Sequence, residues 1–371
     1  MRAARNKPAD MSASPHIPFV SVVAPVHGTE ATVGACLDGL LAQSLADMEV
    51  IVVDDASPDG ARAVVLEYMK RDDRIILLEN RENLGLFETR RRGAAAARGR
   101  YLAMCDSDDV MPPNALADLA ATAEKTGADI VHGRACALAD EWTGKTLWAF
   151  EPFGARTGPD FVNRMINCLR GWNLCGKLFR AEAWKRGMAS VPERKGLFIA
   201  EDLLASFMIG LESSGYARTD EIVYCYRQPV ASYLADSGRA LRAVDDYLAV
   251  LTLLWETAAK SDVPFRLIEG IDFLTRHLVA SMTRHLPPDE ALRLAVANRI
   301  HSVLGPHRRD DFLHSAKRRS LPRLAAGVWA NAWRLLRHGG LGECVIGAKR
   351  LFDAAQRHGL RTIVSEAAGL S

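Results

Sequence analysis

Two hydrophobic rhythms alternate along the first third of the chain. Phe19 to Ala24 is a short β-branched run closed by Pro25, and Glu49 to Val53 is another, closed by Asp54 and Asp55. Short apolar runs of this kind, bounded by breakers, read as buried strands. Between them Val33, Cys36, Leu37, Leu40 and Leu41 fall on one helical face, with Thr29 placed to cap it. Ser57-Pro58 predicts a helix start leading into Ala61 to Lys70. Further strands are expected at Arg74 to Leu78, Tyr101 to Cys105 and Asp129 to His132. The helices between them run from the Gly85 loop toward Gly99 and from Pro112 to Thr126. The next part is mixed, with helices at Asp160 to Leu169 and Asp202 to Ser213 and strands at Lys177 to Arg180 and Ile222 to Arg227. Beyond Arg239 the pattern is helical throughout: Leu241 to Ala258, Arg266 to Arg284, Glu290 to Val303, and pieces after Leu321.

Strands alternating with helices predict an α/β fold with a mostly parallel sheet, whose ligand crevice lies at the carboxyl ends of the strands. The acidic clusters Asp54-Asp55 and Asp106-Ser107-Asp108-Asp109 follow the second and fourth predicted strands, so both belong at that rim. The overall net charge of +2 offers no argument for a nucleic acid partner. Charge is uneven, however, with Lys and Arg in clear excess after Val263. The 7 cysteines are scattered without a CxxC pair, which points to a reduced, cytoplasmic protein without structural zinc. No apolar run is long enough to span a bilayer, and Met1 to Pro18 reads as a flexible lead-in without the apolar core of a signal peptide.

Asp106 and Asp108, two apart at a strand end, can face one side and offer hard oxygens to Mg²⁺ or Mn²⁺. A plain turn before Pro112 is the alternative reading. One carboxylate of Asp54-Asp55 can accept from the imide of a pyrimidine base, or else cap the following helix. GxGxxG and GxxxxGK[ST] are both missing, which disfavours dinucleotide dehydrogenases and P-loop NTPases.

The run VSVVAPVHGTEATVGACLDGLLAQSLADMEVIVVDDASPDG from Val20, followed by NLGLFETRRRGAAAARGRYLAMCDSDD, resembles the nucleotide-binding half of family-2 glycosyltransferases with the GT-A fold, a Rossmann-like sheet flanked by helices. The resemblance implies inverting transfer of a sugar from a nucleoside-diphosphate sugar, a UDP-sugar by default, to a hydroxyl. By position it assigns Pro25, His27, Glu30, Asp55, Arg90, Asp106, Ser107 and Arg227 to the nucleotide-sugar, and Asp108 to the Mn²⁺ or Mg²⁺ ion. His27 stands where tyrosine is common, and Arg91 where asparagine is common. A solvated helix face is the plain alternative for Arg91 and Arg92.

In the second half, Glu201-Asp202 resembles the family's ED motif, which makes Asp202, with Glu201 beside it, the catalytic base. Acids in a helix's first turn are also favoured by its dipole alone. Asn173 to Arg180 resembles the segment before the acceptor site, with Lys177 in it. Tyr226-Arg227 and Ser232 resemble a segment that closes over the diphosphate. The QxxRW pattern of processive members is absent, so a single transfer is expected. The implied partners are the nucleotide-sugar donor and a glycan, lipid-linked or cell-envelope polymer acceptor.

The expected organisation is a lead-in over 1–18, a GT-A domain over 19–235 divided at 133/134, and a basic helical region over 236–371. Lys317, Arg318, Arg319, Arg334 and Arg337 alternate with Trp329, Trp333 and Leu336 there. Such helices either pack a core of their own or lie on the anionic inner face of the plasma membrane. Two rival functions are a sugar-1-phosphate nucleotidyltransferase, which would need a Gly- and Arg-rich loop after the first strand, and a non-catalytic binding subunit of the same fold.

Overall fold

The computed structural model describes residues 16–138, 154–169, 171–227, 237–260, 264–285 and 290–304. Ser232 and the basic helices expected after Leu321 lie outside them. One seven-stranded sheet organises the first half: β1 (Val20–Val26), β2 (Met48–Asp54), β3 (Ile75–Glu79), β4 (Tyr101–Met104), β5 (Ile130–Leu138), β6 (Lys177–Arg180) and β7 (Tyr216–Arg227). Their spatial order is β3-β2-β1-β4-β6-β5-β7. Strands β1 to β4 pair in parallel, β5 pairs parallel to β7, and β6 runs antiparallel to both β4 and β5. The expectation of a mostly parallel sheet holds, with β6 as the reversed strand.

Helices α1 (Val33–Leu41), α2 (Ala61–Met69), α3 (Leu86–Ala96) and α4 (Ala115–Thr126) are the crossovers of the parallel half. Strands β1 and β2 are buried along their whole length, as their Val- and Ile-rich sequences favour. Helix α3 lies close on that face because Gly93 carries no side chain; a methyl there would collide with Val23 and come within 3.0 Å of Val53. The second half adds α5 (Gly158–Cys168), α6 (Ala181–Ala189) and α7 (Glu201–Leu211).

Two caps differ from expectation. Thr29 does not cap α1, for its hydroxyl meets Ser107 instead (2.9 Å). Ser57 sits three residues ahead of the α2 N-cap, Gly60; its N–H goes to Asp54 (3.2 Å), and Asp59 accepts from Ala61.

Three long helices follow: α8 (Ser237–Ala259), α9 (Pro264–His285) and α10 (Glu290–Leu304). Val250, Leu251, Leu254, Leu267, Ile271 and Leu274 of α8 and α9 are buried in the same apolar cluster as the sheet. The other faces of α8 and α9 pack with α10 in a smaller cluster around Val244, Leu248, Val279 and Ile300. Among the described residues no helix is long and apolar enough to cross a membrane.

Candidate active site

The strand order reverses between β1 and β4, and that switch point is where open α/β sheets bind ligands. Pairing of β1 with β4 stops at Val23–Met104, whereas β1 continues to Val26 beside β2. A notch therefore opens beyond Met104. Pro25 sits in that unpaired stretch, where its missing N–H costs no bond to β4.

At the β2 side of the notch, Asp55 is buried with both carboxylate oxygens engaged. One accepts from Asn80 (2.7 Å) and the Leu84 N–H (2.8 Å), the other from the Gly85 N–H (3.0 Å). Three of roughly four acceptor directions are filled, which leaves room for one more donor. Gly85 has φ +89°, and a Cβ there would lie 3.0 Å from the Gly196 backbone, so only glycine fits. His27 is exposed, with one ring nitrogen on the Asp55 carbonyl (2.9 Å) and the other on Asn83 (3.0 Å). Glu30 is turned to the side and accepts from the Gly60 N–H (2.9 Å), which ties the β1 loop to α2.

The Asp106 to Asp109 turn closes on itself through Asp109 N–H to the Asp106 carbonyl (3.0 Å). Tyr224 of β7 holds it from below. Its hydroxyl accepts from the Asp106 N–H (3.0 Å) and donates to Asp109 (2.9 Å). Asp109 also accepts from the Arg227 N–H (2.7 Å), and the Arg227 guanidinium donates to the Asp108 carbonyl (3.0 Å). Burial, with the charges of Asp106 and Asp108, pushes Asp109 up to about 8. Asp109 is thus the turn's internal brace, while Asp108 projects outward. Partial desolvation and the Asp106 charge raise the Asp108 carboxyl above its ordinary value. Ser107 is buried against Thr29, which links this turn back to the β1 loop.

Arg90 of α3 joins the two halves of the site. It is buried, donating from one terminal nitrogen to Asp106 (2.5 Å) and from the other to Glu201 (2.7 Å). Burial opposes its charge, yet Asp106, Cys175 and Glu201 hold its pKa well above the usual value. The Cys175 thiol, raised by burial and by Asp106, donates to that same Asp106 carboxylate (3.5 Å). Arg91 instead pairs with Glu88 (2.8 Å), and Arg92 donates to the Asn80 amide that supports Asp55. None of the three arginines is a purely solvated charge.

Glu201 and Asp202 open α7, directly after Ala200 in the left-handed region (φ +62°). A non-glycine residue there stores backbone strain at the point where the acids are aimed. Burial and then Asp202 push Glu201 up to about 8 against the pull of Arg90. Asp202 is raised by burial, opposed by Arg90 and Lys177. Lys177 is fully buried, donates to the Gly171 (2.8 Å) and Asn173 carbonyls, and is lowered to about 7 by that burial. Asp202 borders a cavity of about 260 Å³ shared with Trp172, Phe198, Tyr247 and Leu278.

The acids fit a divalent cation in one specific way. Among the described residues no three acidic, histidine or cysteine side chains converge to hold a metal unaided. Asp106 and Asp108 nevertheless supply adjacent hard oxygens in a locally negative, partly desolvated turn. That donor set suits Mg²⁺ or Mn²⁺ ligated by one or two carboxylates and completed by substrate phosphates.

Of the site residues expected from sequence, Asp55, His27, Ser107, Asp106, Arg90, Glu201 and Asp202 lie along one rim, with Thr29 bonding the His27 loop to Ser107. Glu30 stands apart from it. Three positions went unrecognised in the sequence. Tyr224 and Tyr247 are aromatics within apolar patterns, and Asp246, which accepts from the Phe198 and Ile199 N–H groups, carries no motif.

A sheet with this order and an acidic rim at its switch point defines the GT-A glycosyltransferase fold. Residues 21–164 match the description Glycosyl transferase family 2. Over those residues the chain is similar to that family. The glycosyltransferase EpsJ of Bacillus subtilis is 29% identical over 218 residues, 57% of this chain and 62% of its own length. A UDP-Glc:α-D-GlcNAc-diphosphoundecaprenol β-1,3-glucosyltransferase of Escherichia coli, WfgD, is 38% identical over 98 residues, 26% of this chain and 38% of the relative. Among solved structures, TarS 1–349 of S. aureus in complex with UDP-GlcNAc has a TM-score of 0.59 at 18% identity, covering 81% of this chain and 90% of that one. The chain therefore spans only about two thirds or less of the relatives it matches by sequence.

Proposed function

We propose that the protein is an inverting, metal-dependent glycosyltransferase that moves a sugar from a UDP-sugar to a hydroxyl of a glycan or lipid-linked acceptor, once per encounter. The observation that carries this reading is the Asp106–Arg90–Glu201 bridge. It brings the acids after β4 and those opening α7, far apart in sequence, to one rim. The name of the E. coli relative specifies a UDP-sugar donor and a lipid-diphosphate acceptor, which supports both choices for this chain.

In this reading Asp55 offers its remaining acceptor direction to the base imide, and the exposed His27 ring stacks on that base. Asp108, with Asp106 beside it, would hold a Mn²⁺ or Mg²⁺ ion, which when bound would supply positive charge to offset that of a diphosphate leaving group. Asp202 takes the proton of the acceptor hydroxyl as it attacks the anomeric carbon from the face opposite the leaving group. Arg90, paired with both Asp106 and Glu201, fixes the spacing between the donor turn and the base. Arg227 braces the diphosphate-side turn. The sequence Arg227-Gln228-Pro229 replaces the processive QxxRW pattern, consistent with a single transfer. The action belongs on the cytoplasmic side, with the basic C-terminal region near the membrane surface.

The test uses purified full-length protein. UDP with Mn²⁺ is expected to raise the melting temperature, because a ligand of the native state stabilises it. Asp202→Ala should retain that shift while transfer falls by about 10²- to 10⁴-fold, the usual worth of a general base. Asp108→Ala should lose both the Mn²⁺-dependent part of the shift and the transfer. Full turnover by either variant would overturn its assigned role.

A further inference from the structure

The cavity beside Asp202 has a chemistry that the donor does not use. It is lined by Trp172, Phe198, Tyr247 and Leu278 together with Glu201 and Asp202. Two of those walls come from helices outside the sheet: Tyr247 belongs to α8 and Leu278 to α9.

The walls are fixed to one another rather than merely adjacent. Asp246, next to Tyr247, accepts from the Phe198 and Ile199 N–H groups at 3.1 Å each, so α8 is registered directly on the loop that leads into α7. Arg242, one turn earlier, lies 4.4 Å over the Phe198 ring and donates to the Gly196 carbonyl (3.2 Å). On the opposite side Ser206 of α7 donates to the Trp172 carbonyl (2.5 Å). The Tyr247 hydroxyl has no hydrogen-bond partner among the described residues. Burial and the charges of Asp202 and Glu201 push it up to about 12, so it remains a donor at neutral pH.

We propose that this cavity receives one pyranose ring of a carbohydrate acceptor, with Tyr247 as the positioning residue that turns the ring's hydroxyl toward Asp202. This rests on the transferase reading above. Flat apolar rings match the C–H face of a sugar, while the acids and the Tyr247 hydroxyl meet its polar edge. Sites of this kind bind through apolar walls and a few placed polar groups. An alkyl chain would leave the Tyr247 hydroxyl unpaired and set the Asp202 carboxyl against hydrocarbon. Helices α8 and α9 therefore take part in acceptor specificity.

The experiment uses the full chain saturated with UDP and Mn²⁺, and the methyl β-glycosides of glucose, galactose and N-acetylglucosamine as probes, with octanol as the lipid-like control. Saturation-transfer NMR reads which protons touch the protein. The wild type is expected to bind at least one glycoside through its ring protons. Tyr247→Phe keeps the ring and should weaken that glycoside roughly three- to tenfold, the worth of one lost hydrogen bond. Leu278→Trp fills the cavity and should abolish glycoside binding. UDP affinity and melting temperature should stay unchanged in Tyr247→Phe, an outcome that a merely structural tyrosine would not produce together with weaker glycoside binding. Equal glycoside binding in both variants, no glycoside binding by the wild type, or preference for octanol would each overturn the proposal. A wild type that fails to bind UDP would instead remove the transferase reading itself.

Discussion

Arg90 is the residue whose role changes most between sequence and structure. Position in the motif associates it with the nucleotide, but both its terminal nitrogens are engaged by carboxylates at 2.5 and 2.7 Å. A buried guanidinium beside an ionised acid is costly to remove, because Asp106 then keeps an uncompensated charge. Arg90→Met is therefore expected to lower stability by about 3–5 kcal/mol in urea unfolding. Adding Asp106→Asn should recover part of that loss, since it removes the charge left stranded. A loss below about 1 kcal/mol, or no recovery, would mean that the bridge contributes little. Sequence could not reveal the bridge: 111 positions separate Arg90 from Glu201, and only the fold brings them together. Asp106, Asp108 and Asp202 were legible because their chemistry travels with short motifs. Tyr224 and Tyr247 were not, because a core aromatic and a site aromatic look alike in a hydrophobic pattern.

At the scale of elements, strands were read more faithfully than caps. Buried β1 and β2 announce themselves as continuous apolar runs, whereas Thr29 and Ser57 had plausible cap chemistry that tertiary partners outcompeted. Helix α6 has no counterpart among the expected elements; Ala183, Trp184, Gly187 and Met188 of its nine residues turn inward. Strands β5 and β7 were read short, since Gly133 and the register shift beside it, and the polar stretch Thr219 to Glu221, interrupt their patterns.

The start of β6 carries a pH prediction. Lys177 is held neutral in the fold above about 7 but stays protonated in the unfolded chain to about 10.5. Between those values the unfolded state binds the extra proton, so this group's contribution to stability rises with pH. The stability of wild type relative to Lys177→Met should therefore rise from pH 7 toward 10, by at most about 1.4 kcal/mol per pH unit. Chemical denaturation of both proteins across that range measures it. Taking the difference cancels the acids and tyrosines that titrate in both. A flat or falling difference would show that Lys177 is charged where it lies.

For the whole molecule, the decisive fact is that one apolar cluster runs from β1 through the sheet into α8 and α9. Hydrophobic periodicity predicted those helices correctly but could not say what their buried faces meet, because an amphipathic stripe fits a neighbouring sheet, a helical partner or a lipid surface equally well. In the structure Leu251 and Leu254 of α8 face the same core as α7, whose first turn carries Glu201 and Asp202. If that continuity governs folding, a cavity cut into α8 must weaken the sheet as well. Leu254→Ala is expected to cost about 2–5 kcal/mol, the usual penalty for truncating a buried leucine. The loss should appear at one midpoint, with helix content by circular dichroism and UDP-dependent stabilisation declining together along the denaturant axis. An early loss of helix signal that leaves UDP binding intact would instead make α8 and α9 a separately melting layer. The acceptor cavity they help to wall would then open before the donor site does.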